Sequence, residues 1–585
     1  MTSVQPIVRR VLYFSSSRKL ADSFLDALTG AAEYTVRRER GRAAVTCGAT
    51  AFELELHHDV RSAHEALHRG YFNLVLLDLR EPVHGPGKAA REYERGIALL
   101  EAMDGEPDIE RRYAFHRIVA LVAGADPEEV DDRIAALGAR GVGRVLRDLS
   151  SCYLNPACDR LPKRQEFARR VIGELERILA NRRPGKLALC ASGGGITGLY
   201  FELGVLKCLE DCCSPGALNA FDLYFGISAG SVAVGMLANG YAVGEFMAAI
   251  SGEPGGRIPQ VDLNLLDTSH LDVRGLTAPL RQLFTIAGHG AAELLRGRLP
   301  FSLESLVFEY GDLIHPPFCT DGFEDLIRRS FSRPGCTNDF RELPRRLFVG
   351  ATDQDLKEHV LFGEAPHDHV PISRAIQASM SLNPVFSSTE IDGRYYEDGA
   401  VTRTSNFGDA IRKGANLIFA LDPLVPYVSK RPGFARGRGV FYNADQDIRT
   451  VSYTRYENTR NSVLRSHPEV SLYTFLPANQ LRRTLSVNPM DHRLYLEIWR
   501  GAYISTLRRI HTLGYRMRGD LAAHGIGFDT SAADAVAERL QATRKPKLAD
   551  FFPEGRVEVR IPAPLAPLRP VRRSSRRAAL AGSAA

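Results

Sequence analysis

Residues 187–235 read LALCASGGGITGLYFELGVLKCLEDCCSPGALNAFDLYFGISAGSVAVG and contain two successive strand–loop–helix patterns. In the first, the apolar run 187–190 leads into a glycine-rich loop and then a helical pattern. In the second, the run 222–225 leads into a short Gly-Ser-Gly loop and then a helix of small residues. Strands that alternate with helices in this way predict an α/β fold, with both loops following the ends of strands.

The second loop, Gly226-Ile227-Ser228-Ala229-Gly230, has the form G-x-S-x-G between a strand and a helix. This is the sequence pattern of a nucleophile elbow, in which a strained turn exposes the serine hydroxyl. Gly226 and Gly230 leave room for that turn because they carry no Cβ. Ser228 is therefore the candidate nucleophile, placed at a helix N-terminus where N–H groups favour a developing anion.

The first loop is the candidate oxyanion-binding element. The backbone N–H groups of its residues can approach a bound carbonyl oxygen closely, because glycine has no side chain to interfere. A rival interpretation is a dinucleotide fingerprint, which calls for an acidic residue at the end of the next strand. Here the next strand runs into Ser228 instead, so we favour the oxyanion interpretation. The residues assigned to it are Gly193, Gly194, Gly195 and Ile196, and Gly198 completes the motif.

A serine nucleophile also needs a base, and Asp398 in Tyr395-Tyr396-Glu397-Asp398-Gly399-Ala400 is the best candidate. Asp-Gly pairs are also strong signals for a hairpin turn. The chain contains a second pair, Asp392-Gly393, between two short strand patterns. We assign the hairpin turn to Asp392 and the base to Asp398, which follows the second strand.

These three elements, in this order, resemble the patatin-like phospholipase family over roughly residues 185–425. The resemblance implies a patatin-like α/β/α sandwich that hydrolyses lipid acyl esters. Its implied site combines Ser228 as nucleophile, Asp398 as proton acceptor and the glycine loop as oxyanion hole, without a metal or another cofactor. Gly399 and Ala400 match the family's motif after the base. Thr197 departs from the family, since many members carry Arg or Lys there, and this leaves backbone donors to stabilise the oxyanion.

Two other functions stay open from the sequence. The first is an α/β-hydrolase with a Ser-Asp-His triad, since several histidines follow Asp398 in the order that fold uses. They are His467, His492, His511 and His524. The second is a catalytically silent patatin-fold signalling protein.

The composition is that of a globular protein, with 44% hydrophobic and 25% charged residues over 585 positions. We expect a cytoplasmic protein, because there is no signal peptide and no apolar run of about 18 residues. Nine scattered cysteines indicate reduced thiols, and no zinc-binding spacing is present. The net charge of +6 is compatible with peripheral attachment to an anionic membrane. The basic stretches lack interleaved aromatics, so we expect no nucleic-acid binding, and the oligomeric state stays open.

Residues 1–150 alternate strand and helix patterns, which predicts a smaller, doubly wound α/β domain. Their order resembles a response-regulator receiver with Asp78 at the phospho-acceptor position. The resemblance is degenerate, because Ser15-Ser16-Ser17 replaces the magnesium-binding acids and Ala123-Gly124 replaces the later Ser or Thr. We therefore interpret Asp78 as a residue that caps a strand end.

The rest of the chain is predicted to add four segments around the catalytic domain. Residues 151–186 form a connector whose amphipathic helix is expected to pack on the catalytic domain, which spans 187–425. An insertion at about 251–346 is an acyl pocket, a lid or ordinary core. A mostly helical region, 426–560, packs back on the catalytic domain. A basic tail, 561–585, is expected to be disordered.

Overall fold

The computed structural model describes the greater part of the chain. The described residues are 7–47, 50–69, 72–80, 90–104, 117–124, 126–140, 142, 144–148, 160–179, 185–253, 256–272, 316–467, 470–486 and 488–557. They form a mixed α/β protein whose two sheets are rich in parallel pairs, which confirms the predicted fold class.

The strands, in chain order, are β1 (Ile7–Ser15), β2 (Thr35–Glu39), β3 (Arg42–Cys47), β4 (Thr50–His57), β5 (Leu74–Asp78), β6 (Ile118–Val122), β7 (Arg144–Arg147), β8 (Lys186–Ala191), β9 (Leu223–Ile227), β10 (Arg346–Asp353), β11 (His359–Phe362), β12 (Thr389–Ile391), β13 (Arg394–Asp398), β14 (Ala415–Leu421) and β15 (Ser471–Phe475). The helices are α1 (Arg18–Thr29), α2 (Val60–Arg69), α3 (Ala90–Asp104), α4 (Pro127–Ala139), α5 (Arg160–Leu179), α6 (Gly195–Cys212), α7 (Ala229–Ala238), α8 (Val243–Ser251), α9 (Asp321–Phe331), α10 (Ile372–Met380), α11 (Phe407–Arg412), α12 (Val440–Ser466), α13 (Asn479–Leu485), α14 (Tyr495–Ala522) and α15 (Ser531–Ala542).

The chain divides into two compact units, which we describe separately. The first comprises Met1–Ser214 with Arg403–Arg556, and the second has Pro215–Thr402 as its main part. The first unit begins with a seven-stranded sheet of order β2-β3-β4-β1-β5-β6-β7. Its five parallel strands follow the doubly wound order 2-1-3-4-5, as the sequence predicts for this region. The antiparallel pair β2–β3 extends one edge.

Helix α5 corrects one expectation from the sequence. The helix was expected to pack on the catalytic domain, but its apolar face lies in the core of the N-terminal sheet. There Phe167, Val171 and Leu175 are buried in the same cluster as Val11 on β1 and Phe52 on β4. The physical reason is topological, because the helix after β7 completes the fifth βα repeat and covers a sheet face that would otherwise be exposed.

The rest of the first unit contains the parallel ladder β8–β14–β15 and the C-terminal helices. Helix α14 crosses α6 closely at Gly204, where an added Cβ would lie 2.8 Å from the Trp499 carbonyl oxygen. Helix α14 also reaches the N-terminal sheet through a buried ion pair, Arg9 Nη2 to Asp520 Oδ1, at 2.9 Å. Ser471 and Tyr473 on β15 donate hydrogen bonds to the other oxygen of Asp520. This buried network ties β1, α14 and β15 together.

The second unit is built on β10, which pairs in parallel with β9 and antiparallel with β11 and β13. Strand β13 also pairs with β12 across the turn Asp392-Gly393, where both residues have positive φ. This is the hairpin turn that the sequence predicts for Asp392, with the positive φ values of a type I′ turn. The β9–β10 register pairs Ile227 with Gly350, and the β10–β13 register pairs Ala351 with Asp398. The residues before the nucleophile and at the candidate base therefore face adjacent positions of β10.

Two regions with sequence predictions lie largely or wholly outside the described residues. They are the central part of the insertion, 273–315, and the basic tail, 561–585. Within the described residues, no helix combines the length and the apolar character needed to cross a bilayer.

Candidate active site

Ser228 has the backbone geometry that its motif predicts. It is the residue between β9 and α7, with φ 51° and ψ −125°. A positive φ in a non-glycine residue costs about 1–3 kcal/mol and is found mostly at functional sites. The turn is so tight that a Cβ on Gly226 would lie 2.3 Å from the Cα of Ser231. The glycine at 226 is therefore required by contact with the next turn of the chain.

Two further serines hold the strained residue in place. Ser379 on α10 accepts a hydrogen bond from the Ser228 N–H at 2.7 Å and donates one to the Gly350 carbonyl at 2.6 Å. Ser231 donates to the Ser228 carbonyl through both its N–H and its hydroxyl. The sequence analysis gave neither serine a role. The only sequence feature that marks them is a hydroxyl side chain among small residues of a buried helix, and that feature is common in proteins.

Asp398 ends β13 and caps the 3₁₀ turn Gly399–Val401 that follows it. Its N–H donates to the Ser381 carbonyl at 3.0 Å, and its Oδ1 accepts from the Ala400 N–H at 2.8 Å. A Cβ on Gly399 would lie 2.3 Å from the Gly350 carbonyl oxygen. The glycine after the aspartate thus lets the chain turn directly against β10, and the carboxylate is fixed by its own turn.

The strand registers place Ile227, which precedes Ser228, opposite Gly350 of β10, and they place Asp398 opposite the next residue, Ala351. Ser228 is 8% exposed and Asp398 is 2% exposed. Burial raises the pKa of Asp398 to about 6, while the hydrogen bonds from Ser228 and Ala400 oppose that rise. The carboxylate is therefore mostly ionised at neutral pH yet far more basic than an exposed aspartate.

The neighbouring Glu397 has partners of its own. It forms an ion pair with Lys357 at 3.0 Å and accepts a hydrogen bond from Asn383 at 3.1 Å. Its charge adds to the rise in the Asp398 pKa. Among the described residues, no histidine or cation contacts the Asp398 carboxylate.

The glycine loop belongs to the first unit, where it begins α6. Gly195 has a φ of +66°, and a Cβ there would lie 2.8 Å from the Pro489 carbonyl oxygen. A Cβ on Gly194 would lie 2.6 Å from Pro423. The Thr197 N–H donates to Pro489, whereas the N–H groups from Gly193 to Ile196 donate no hydrogen bond within the described part of the chain. Packing thus requires these glycines, and their N–H groups are available to a ligand.

Comparison with protein families identifies the segment that carries these elements. Residues 189–411 match the family model described as "Patatin-like phospholipase". This segment is a patatin-like phospholipase domain. The match contains the glycine loop, Ser228 and Asp398, and it confirms the family resemblance seen in the sequence. It places the patatin-like domain in a family of lipid acyl hydrolases.

Comparison with solved structures returns low-scoring likenesses. VipD from Legionella pneumophila is 15% identical, with a TM-score of 0.26, covering 62% of this chain and 76% of VipD. ExoU from the type III secretion system of Pseudomonas aeruginosa, solved in complex with SpcU, is 15% identical, with a TM-score of 0.23 and coverage of 64% and 67%. No curated protein matches the chain. Nothing about the activity of the patatin-like domain rests on these alignments.

Outside the patatin-like domain, Asp78 ends β5 and is 1% exposed. Arg80 holds its carboxylate in a two-pronged contact, with Nε and Nη2 each 2.9 Å from one oxygen. The Tyr13 hydroxyl donates to Asp78 at 2.8 Å, and Arg80 also reaches Asp148 at 3.1 Å. Burial, followed by the charge of Asp78, raises the pKa of Tyr13 well above its ordinary value. This arrangement supports the interpretation of Asp78 as a structural residue, because both carboxylate oxygens have partners.

Proposed function

We propose that this protein is a serine lipid acyl hydrolase that cleaves carboxylic esters with a Ser228–Asp398 dyad. The observation that carries the proposal is that Ser228, on its strained turn, and Asp398, a buried carboxylate whose pKa is about 6, lie beside adjacent positions of β10. A general base works best when its pKa lies near the operating pH. The strained backbone of Ser228 and its two supporting serines fit a nucleophile that must keep one orientation.

In the proposed reaction, the Ser228 Oγ attacks the ester carbonyl carbon while Asp398 accepts the hydroxyl proton. The tetrahedral intermediate collapses, the alkoxide leaves, and Asp398 returns the proton to it. Water then attacks the acyl-enzyme with Asp398 again as base, which releases the fatty acid and restores Ser228. We assign stabilisation of the oxyanion to the glycine loop, from the family resemblance and from its unengaged N–H groups.

The triad alternative needs a histidine between serine and aspartate. Among the described residues, no histidine contacts the Asp398 carboxylate, which favours the dyad over the triad. Of the four histidines considered from the sequence, His511 pairs with Asp534 at 2.8 Å on an exposed surface. Replacing each of the four with Ala is expected to preserve hydrolysis. A single such variant that loses activity while staying folded would favour the triad.

The decisive experiment measures fatty-acid release from mixed phospholipid vesicles and hydrolysis of a short-chain aryl ester, with a chelator present. Wild type, Ser228→Ala and Asp398→Ala are compared, and Ser462→Ala serves as the matched control because Ser462 is exposed on α12. We expect both dyad variants to lose activity by about 10³-fold or more, since base and nucleophile act as a unit. If Ser228→Ala keeps wild-type turnover, the proposal is wrong. If wild type hydrolyses no ester, the silent patatin-fold alternative is favoured.

A further inference from the structure

One exposed segment of the first unit has an unusual charge distribution. From Pro423 to Ala444 the sequence contains no acidic residue. The basic loop, residues 427–439, joins β14 to α12 and carries Lys430, Arg431, Arg436 and Arg438, all exposed. Among the described residues, no acidic side chain forms an ion pair with any of the four. Elsewhere exposed arginines have such partners, for example Arg341 with Asp339 and Arg493 with Asp491.

The basic loop is held in a defined conformation. The Val428 backbone forms two hydrogen bonds with the Asn479 side chain, at 3.0 and 2.9 Å. The rings of Tyr427 and Phe434 lie 5.4 Å apart, and those of Phe434 and Tyr442 lie 6.2 Å apart. Arg438 lies over both Phe434 and Tyr442. Arg438 is thus held over an aromatic pair, and the loop backbone that carries the other three cations is anchored at Val428, which lowers the entropy lost when the loop binds a partner.

Large aliphatic side chains lie exposed beside these cations. Val428 in the basic loop is 59% exposed, and Val440, Ile448 and Val451 on α12 are 74%, 60% and 58% exposed. At spacings of eight and three residues, these three positions of α12 share one helix face. The opposite face is buried, for example at Arg449 and Tyr456. We call the three residues of α12 together with Val428 the apolar stripe.

One acidic residue interrupts this surface. Asp447 is exposed on the same face of α12 as the apolar stripe. On the other side of the basic loop, Arg483 of α13 is exposed. Burial raises the pKa of Tyr442, and the nearby positive charge of Arg483 opposes that rise. The net balance of the surface is strongly positive.

We propose that the basic loop and the apolar stripe form a docking surface for an anionic lipid bilayer. Lys and Arg side chains are attracted to anionic headgroups, and neighbouring aliphatic side chains gain by entering the boundary with the acyl chains. The inference deepens the proposed function, because it gives a lipid hydrolase a way to stay at the interface that contains its substrate.

The structure favours a bilayer over a nucleic acid. Phe434 lies among the arginines of the basic loop, and Tyr442 follows the loop on α12. Those rings, however, pack on one another and under Arg438, so they do not form an open stacking platform. The exposed apolar side chains here are aliphatic, which suits acyl chains better than bases.

The test uses full-length protein with Ser228→Ala, so that vesicles stay intact whether or not the proposed hydrolysis occurs. Sedimentation is compared between phosphatidylcholine vesicles and equimolar phosphatidylcholine–phosphatidylglycerol vesicles. We expect binding only to the anionic vesicles, weakening as salt rises. Lys430→Glu/Arg431→Glu/Arg436→Glu should lower the partition coefficient on the order of 100-fold, since each cation contributes about fivefold and reversal adds repulsion. Arg438 is kept because it packs on the aromatic rings.

Three further variants sharpen the result. The control Lys19→Glu/Arg37→Glu/Arg40→Glu makes the same change in net charge at exposed sites on α1 and the β2–β3 hairpin, and it should bind as before. Val440→Ser/Ile448→Ser/Val451→Ser should weaken binding without changing its salt dependence. Asp447→Asn should strengthen it.

Several outcomes would overturn the inference. They are equal binding by the loop variant and its control, no binding to anionic vesicles, or binding of a labelled single-stranded oligonucleotide in place of vesicles. Hydrolysis of the soluble aryl ester is measured in parallel on the loop variant with Ser228 intact. Vesicle binding without ester hydrolysis refutes the proposed function alone, whereas ester hydrolysis without vesicle binding refutes this inference alone.

Discussion

Asp398 and Asp78 both end buried strands, yet their surroundings give them different chemistry. The Arg80 guanidinium donates hydrogen bonds to both carboxylate oxygens of Asp78, and the Tyr13 hydroxyl donates a further one. Asp398 faces a serine hydroxyl and one backbone N–H, with no cation in contact among the described residues. Burial without a cation raises the pKa of Asp398 to about 6. The absence of a contacting cation in the described part of the chain thus leaves Asp398 with the raised pKa that its proposed role as a base requires.

The largest expected difference between the two sites is in catalysis. Asp398→Asn keeps the shape of the side chain but cannot accept a proton, so kcat should fall by about 10²–10⁴-fold. In the wild type, kcat/KM should fall about tenfold per pH unit below the pKa of about 6, because only the ionised carboxylate is a base. The pH profile of aryl-ester hydrolysis measures both effects. A flat profile between pH 5 and pH 8 would contradict the role given to Asp398.

The next largest effect concerns the stability of the Asp78 site. Arg80→Met removes the cation that Asp78 and Asp148 share in a buried site, which should cost about 3–5 kcal/mol of unfolding free energy. Arg61→Met is the matched control, because Arg61 is 90% exposed in its ion pair with Glu65 and should cost less than about 1 kcal/mol. Chemical denaturation followed by circular dichroism compares them. Equal midpoints would show that Arg80 does not neutralise the site.

A third expectation is that Asp398→Asn stabilises the protein at neutral pH. The folded-state pKa of about 6 lies above the ordinary value, so the folded state binds this proton more tightly than the unfolded state. Stability contributed by this group is therefore lost as pH rises from about 4 to about 6. Asparagine does not titrate, so the variant avoids this loss. Its unfolding free energy should exceed that of the wild type by on the order of 3 kcal/mol at pH 7, and the difference should disappear near pH 4. Melting temperatures at both pH values, with Asp22→Asn as an exposed control, measure it. A gain that is independent of pH would exclude this cause.

The smallest expected effect tests how Ser228 is positioned. Ser379→Ala removes the acceptor of the Ser228 N–H and the donor to Gly350, which should lower kcat about tenfold, equivalent to one lost buried hydrogen bond. Ser379→Thr keeps the hydroxyl and should restore part of the activity. The KM for the aryl ester should stay unchanged, because Ser379 acts on the orientation of the nucleophile. An unchanged kcat in the alanine variant would mean that the strained backbone of Ser228 keeps its conformation without the hydrogen bond to Ser379.

Local patterns in the sequence predicted most of the elements, but they failed where packing partners are distant. The strand–helix alternation in residues 1–150 predicted the doubly wound sheet, because period and turn residues are local properties. The same periodicity predicted α5 but gave it the wrong partner, since an apolar helix face does not specify which sheet it covers. The long helix α12 and strand β15 were not predicted individually, because polar residues interrupt their apolar patterns.

By itself, the sequence predicted Ser228 and Asp398 as the two central residues of the proposed site. Ser228 and Asp398 stand in motifs whose glycines are required by local backbone geometry, so they are visible without a fold. Only the tertiary structure decided which buried aspartate is basic and which is neutralised. That difference depends on Arg80, Tyr13 and Asp148 meeting around Asp78, and on the burial of Asp398 without a contacting cation among the described residues. The physical reason is that burial and charge pairing fix a pKa, and both depend on residues far apart in the chain.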